Sequence, residues 1–191
     1  MKRCVPDPTC GPEGHKHRTL RGMVRSYILH KRPCAQAELQ SFRSQPFEAA
    51  VHRAALALDE HEKRFSHQWR LKHPALRKAE GILTDSSGKL RNSKSFADLH
   101  ELIMALLEGI GGLGELYYYD TALRIGANLK LMPQLVYLHR GTRDGARALG
   151  LDWHANAVDP RHLPKKLAVL EPHEMEDFLC IYKDRLRGSS R

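Results

Sequence analysis

Asp120 and the glycine-rich turn just before it are the first residues whose types could carry chemistry. Asp120 follows Tyr117, Tyr118 and Tyr119, precedes Thr121, and lies four residues before Arg124. Read from the residues alone, it is a helix-face partner of Arg124 at i,i+4, worth roughly 0.3–0.5 kcal/mol. Just upstream, Gly109-Ile110-Gly111-Gly112-Leu113-Gly114 carries a Gly-x-Gly-x-x-Gly pattern. Glycines permit positive φ and leave backbone N–H groups bare, and such groups beside a helix N-terminus suit a phosphate oxygen.

A second anion site is expected at His139-Arg140-Gly141-Thr142-Arg143. Gly141 is expected to end one helix and Thr142 to cap the next. Arg140, Arg143 and Arg147 then crowd a positive helix N-terminus, which calls for an anion or for the carboxylate of Asp144. Cys4, Cys10, His15, His17 and Cys34 include soft metal ligands, and Cys4, Cys10 and Cys34 with a histidine, His15 or His17, would complete a tetrahedral zinc site. The alternative is a basic arm with ordinary thiols and no cofactor. His61-Glu62 lacks a second histidine at Phe65, so the His-Glu-x-x-His zinc pattern is absent, as are a P-loop and a Gly-x-Ser-x-Gly elbow.

The elements that must hold these residues are helical. Leu20, Met23, Val24, Tyr27 and Ile28 recur at helical spacing over Thr19–Lys31, and Pro33 ends that helix. A long helix is expected over Ser44–Leu71, with Pro46 in its first turn and a stripe from Ala50 through Leu58 to Phe65 and Trp69. Pro74 stops it, and a short helix over Ala75–Leu83 follows. Thr84–Lys94 reads as a polar basic loop. Ser95, with Asp98 three residues on, opens a helix whose buried face is Phe96, Leu99, Leu102, Ile103, Leu106 and Leu107. After the glycines comes a helix over Glu115–Leu129. Successive tyrosines on it point about 100° apart, so at least one is exposed or lines a groove, and Tyr118 is assigned to base stacking. Short helices are expected at Pro133–Leu138 and Arg143–Leu149, an irregular stretch over Trp153–Pro164, and a last helix from Pro172.

Helix, Gly-x-Gly turn and helix together resemble the helix-hairpin-helix DNA-binding superfamily, over about residues 96–131. The segment Asp120-Thr121-Ala122-Leu123-Arg124-Ile125-Gly126-Ala127-Asn128-Leu129-Lys130-Leu131 is also similar to the stretch after the hairpin in helix-hairpin-helix DNA glycosylases. That resemblance implies phosphate binding by Gly109, Gly111, Gly112 and Gly114, with Ile110 plugged between the helices, and a catalytic role for Asp120. Two departures stand out. Only Glu115–Tyr119 separates hairpin from aspartate, and no lysine in or just after the hairpin supports Schiff-base chemistry. A dinucleotide site is disfavoured, because a capped helix precedes the glycines where a buried strand is required.

With 191 residues, net charge +9 and pI near 9.6, the chain is expected to fold as one all-α multi-helix domain over 19–187 that meets a polyanion. Residues 1–18 form a basic arm and 188–191 a frayed tail. No signal-like apolar region follows Met1, and no run reaches a membrane span, so a cytoplasmic protein without a membrane partner is expected. The leading expectation is double-stranded DNA binding through backbone phosphates, with Arg124, Arg140, Gly141, Thr142, Arg143 and Arg147 joining the turn. The alternatives are base excision, as in DNA repair, with Asp120, or protein–protein assembly through the last helix by Phe178, Leu179 and Tyr182.

Overall fold

The computed structural model describes residues 19–187. The expectations for the arm at 1–18, with Cys4, Cys10 and His15, and for the tail at 188–191 lie outside those residues. The described chain is all-α apart from one small sheet. It forms two compact units, one over Gln36–Met132 and one over 19–35 and 133–187. Helix α2 (Arg32–Arg43) crosses from one range to the other. Pro33 near its start lacks only an N–H that would have no helical partner, so this proline opens a helix after the preceding one has ended.

In the Gln36–Met132 unit, α3 (Phe47–Leu56) stops far short of the expected long helix. Ala57 adopts a left-handed φ of 55°. The chain then turns through a tight loop closed by a bridge between Leu58 and Arg64. Asp59 holds that loop, its Oδ1 accepting from the N–H groups of His61 at 2.8 Å and Lys63 at 2.9 Å. This Asx turn supplies the local alternative to helical hydrogen bonds that the apolar spacing concealed. A short 3-10 turn at Ser66–Gln68 leads to α4 (His73–Asp85), where Pro74 sits in the first turn. The expected loop at 84–94 contains a one-turn helix, α5 (Ser87–Arg91).

Helix α6 (Phe96–Leu107) begins as its sequence predicts. Ser95 Oγ accepts from the Asp98 N–H at 3.1 Å, and Asp98 reaches back to the N–H of Lys94 at 3.2 Å. Phe96, Leu99, Ile103 and Leu107 are buried, which fixes its inward face. Gly109 and Gly112, at φ +83° and +93°, carry the reversal into α7 (Glu115–Leu129). Ile110 is buried between them. The far end of α7 closes on Lys130 at φ 62°, and Asn128 donates to the carbonyls of Phe42 and Gln45, each at 2.8 Å.

The other unit packs α1 (Leu20–His30), capped by Thr19, against α9 (Pro172–Leu186). Residues 133–138 are not helical. They contain β1 (Val136–Tyr137), paired antiparallel with β2 (Ala157–Val158) in the register Val136 to Val158. Helix α8 (Arg140–Ala148) lies tightly on α9. A Cβ built on Gly145 would meet the Leu179 carbonyl oxygen at 2.3 Å. Met23, Tyr27, Leu138, Phe178, Leu179 and Tyr182 form the core. Phe178, Leu179 and Tyr182 are therefore interior residues, which corrects their expected role as a docking face.

Gly145→Ala is expected to cost about 1–3 kcal/mol, because backbone faces backbone there and neither can give cheaply. Gly81, in α4 with open space around it, provides the control. Gly81→Ala should gain about 0.5–1 kcal/mol from helix propensity alone. Urea midpoints of the two variants against the parent check both signs.

Candidate functional site

Asp120 lies one and a half turns into α7, facing the 3-10 turn at Ser66–Gln68. Its Oδ2 accepts from Gln68 Nε2 and pairs with His67 Nε2, both at 2.9 Å. Gln68 in turn accepts on Oε1 from Arg124 Nη1 at 2.9 Å, and Arg124 Nε donates to Glu38 Oε1 of α2 at 2.8 Å. The Arg124 guanidinium stacks 3.8 Å over the Phe65 ring. A continuous polar chain thus runs from Glu38 through Arg124 and Gln68 to Asp120 and His67. Its middle is buried, with Arg124 only 2% exposed. Its outer end is accessible, with the Asp120 side chain 14% and the His67 side chain 33% exposed.

Desolvation acts most strongly on His67 and favours the neutral ring. The hydrogen bond that His67 donates to Asp120 and that carboxylate's charge outweigh it, and the net shift is upward from 6.5. Asp120 and His67 form an acid–base pair with one group on a rigid helix and the other on the connection after α3.

Arg124 is not at the surface, which corrects its expected phosphate contact: its guanidinium is spent on Glu38, Gln68 and Phe65. Tyr117 is buried and donates to the Ala55 carbonyl at 2.6 Å, and Tyr119 is buried too. Burial pushes the Tyr117 hydroxyl well up, keeping it a donor. Tyr118 is half-buried. Its hydroxyl leans back on the turn, 3.3 Å from the Leu113 carbonyl and 3.5 Å from that of Leu107.

Gly109, Gly111, Gly112 and Gly114 all have open space where a side chain would stand. Glu108 and Glu115, however, are exposed on either side of the turn, and no Lys or Arg occurs from Glu101 to Leu123. The turn presents backbone without cations.

The second expected anion site is built differently from its sequence reading. His139, not Thr142, is the N-cap residue of α8, and its side chain accepts from the Thr142 backbone. Thr142 is buried and its hydroxyl accepts from the His139 N–H, so that amide is already used. Gly141 lies within α8 and faces α9, where a Cβ would come 2.8 Å from Cys180 Sγ. The Thr142 hydroxyl is committed to His139, which corrects its expected phosphate contact. Arg140 is exposed, while Arg147 pairs with Asp144 at 3.3 Å and lies 5.3 Å over the Trp153 ring. Arg143 is half-buried on the same helix. Cys34 is a half-cystine, which corrects its expected role as a zinc thiolate.

The structure also singles out residues that the helical reading of Ser44–Leu71 hid. Immediately after Gln68, Trp69 is 59% exposed, with the Arg70 guanidinium 4.9 Å over its ring. Lys63, Arg70, Lys72, Arg77 and Lys78 are exposed along this stretch, and no Asp or Glu occurs from Lys63 to Ala79. That acid-free basic run, interrupted by an aromatic, is the signal in the sequence that the helical reading passed over.

No family model matches the chain, and neither does any curated protein or solved structure.

His67 gains its raised pKa from Asp120, so its contribution to stability is fully present below pH 6.5 and disappears as pH rises through the folded-state value. In an NMR titration the His67 ring should titrate above 6.5 in the parent and lower in Asp120→Asn. An unchanged His67 midpoint in that variant would remove Asp120 as the cause.

Proposed function

We propose that this protein binds nucleic acid, taking phosphates on the exposed cations from Lys63 to Lys78 and a base on the face of Trp69. One observation carries the reading. The connection that delivers His67 and Gln68 to Asp120 also leaves an indole exposed within an acid-free stretch rich in exposed cations. An exposed indole offers a stacking face, and base–aromatic stacking is worth about 1–3 kcal/mol per base. The net charge of +9 supplies the long-range attraction. The open glycine turn between α6 and α7 supports the reading less strongly, because phosphates there would meet backbone donors with Glu108 and Glu115 alongside. Duplex DNA with an unpaired or displaced base fits this surface, since phosphates position the strand and Trp69 needs a bare π-face.

Tryptophan emission should be quenched on titration with such a duplex, with affinity falling steeply as salt rises. Trp69→Phe should remove the quenching and retain most affinity, whereas Trp69→Ala should weaken binding about tenfold. Arg70→Ala combined with Lys72→Ala should flatten the salt slope by about 2. Affinity insensitive to all four substitutions would assign binding elsewhere.

A second reading, base excision, is favoured by the accessible Asp120–His67 pair beside the indole. Here Asp120 would stabilise developing positive charge at the sugar, or accept a proton from attacking water, while Gln68 fixes its orientation. Single-turnover assays on duplexes with damaged or mismatched bases test it. Product formation that falls at least about 100-fold in Asp120→Asn, with binding intact, supports the reading, and activity surviving that substitution excludes Asp120 from it.

A further inference from the structure

In the unit formed by 19–35 and 133–187, a groove of about 440 Å³ runs between α1 and the turn that follows Pro164. Val24, Ile28, Leu29 and Val169 line it, and Arg21, Arg25 and Lys166 stand around it. Positions 21, 25, 28 and 29 share one face of α1, which explains why cations and aliphatic residues meet there. Leu29 is 57% exposed and Val169 61%, the two most exposed large aliphatic residues among those described. No carboxylate occurs among the described residues that line the groove. One nearby arginine is already committed: Arg32 forms a two-pronged pair with the buried Glu174, at 2.8 Å on each oxygen. The rim cations have no such acid among the lining residues.

We propose that this groove docks an acidic amphipathic helix of a partner protein. The helix would lay aliphatic side chains at i, i+3, i+4 and i+7 over Val24, Ile28, Leu29 and Val169, and set Asp or Glu side chains against Arg21, Arg25 and Lys166. Charge complementarity selects this occupant. The chain's own first 18 residues carry Lys2, Arg3, Lys16 and Arg18 against Asp7 and Glu13, with no Leu, Ile or aromatic residue, so they match neither the floor nor the rim. A second copy placed symmetrically would set cation against cation. Nucleic acid would find cations here but no ring on which to stack. The groove is open to solvent, which suits a helix better than a small ligand that needs most of its surface enclosed.

The probe is a fluorescein-labelled peptide of about 16 residues, with Leu at the four anchor positions and Glu on the opposite face, read by anisotropy at physiological salt. A saturable Kd on the order of 10 μM is expected. Val169→Glu alters an exposed side chain and should weaken binding at least about tenfold, as should Arg21→Glu combined with Arg25→Glu; circular dichroism melts confirm that each variant is folded. The same peptide with Lys in place of Glu should bind at least about tenfold more weakly. Absence of saturation up to about 1 mM overturns the proposal, and so does equal binding of the Lys peptide or indifference to Val169→Glu. Phosphatidylglycerol vesicles that bind in a Val169-dependent way while the peptide does not would assign the groove to a lipid surface and overturn it equally.

Discussion

A guanidinium removed from water has to be met on several sides at once, and Arg124 imposes that demand on the Gln36–Met132 unit. Leaving it unpaired would cost several kcal/mol. Its partners come from two separate stretches: Glu38 on α2, and the Phe65 ring and Gln68 from the connection that contains the Ser66–Gln68 turn. Satisfying Arg124 therefore pins the connection after α3 onto the face of α7. Once Gln68 is pinned, its remaining amide hydrogens point at Asp120, and His67 arrives beside it. The acid–base pair at the surface is a downstream consequence of the buried charge.

The other unit is organised by close backbone approach and by a capping histidine. His139 starts α8 with its side chain and also pairs with Glu176 on α9. Both bonds occupy the ring, so His139 is a structural clasp and not a base. Gly141 and Gly145, one turn apart, allow the two helices to touch where any larger residue would hold them apart. Arg32 ties the start of α9 to α2 through Glu174, which itself reaches back to the Glu171 N–H at 2.9 Å. These contacts commit His139 and Gly141 to the packing of α8 on α9, while Arg140 stays exposed.

The legible elements share one property: their signals are local. Ser95 and Asp98 start α6 through bonds three or four residues apart, and Pro172 opens α9 because a proline at a first helical position sacrifices nothing. The illegible ones depended on competition. From Ala50 to Trp69 the apolar spacing is helical throughout, yet the Asp59 turn and the left-handed Ala57 break the helix, and neither Gly nor Pro marks the place. Val136 and Tyr137 form a strand because Ala157 and Val158, distant in sequence, supply the ladder. Helix α2 buries only Leu39 and Phe42, too sparse a pattern to register as periodic.

For the site, the sequence by itself determined the ingredients: an all-α chain, a glycine reversal between two capped or glycine-started helices, a carboxylate at position 120, and a surplus of cations. These follow from composition and from interactions within a few residues. Only the tertiary structure decided which groups meet. It sent Arg124 inward and left Trp69 outside, and it gave Asp120 the partners His67 and Gln68 from more than fifty positions away. The reason is that burial and pairing of charge are properties of three-dimensional neighbourhoods. An arginine four residues after an aspartate looks like its partner in a helix, until a glutamate, an amide and an aromatic ring from elsewhere in the chain solvate it better.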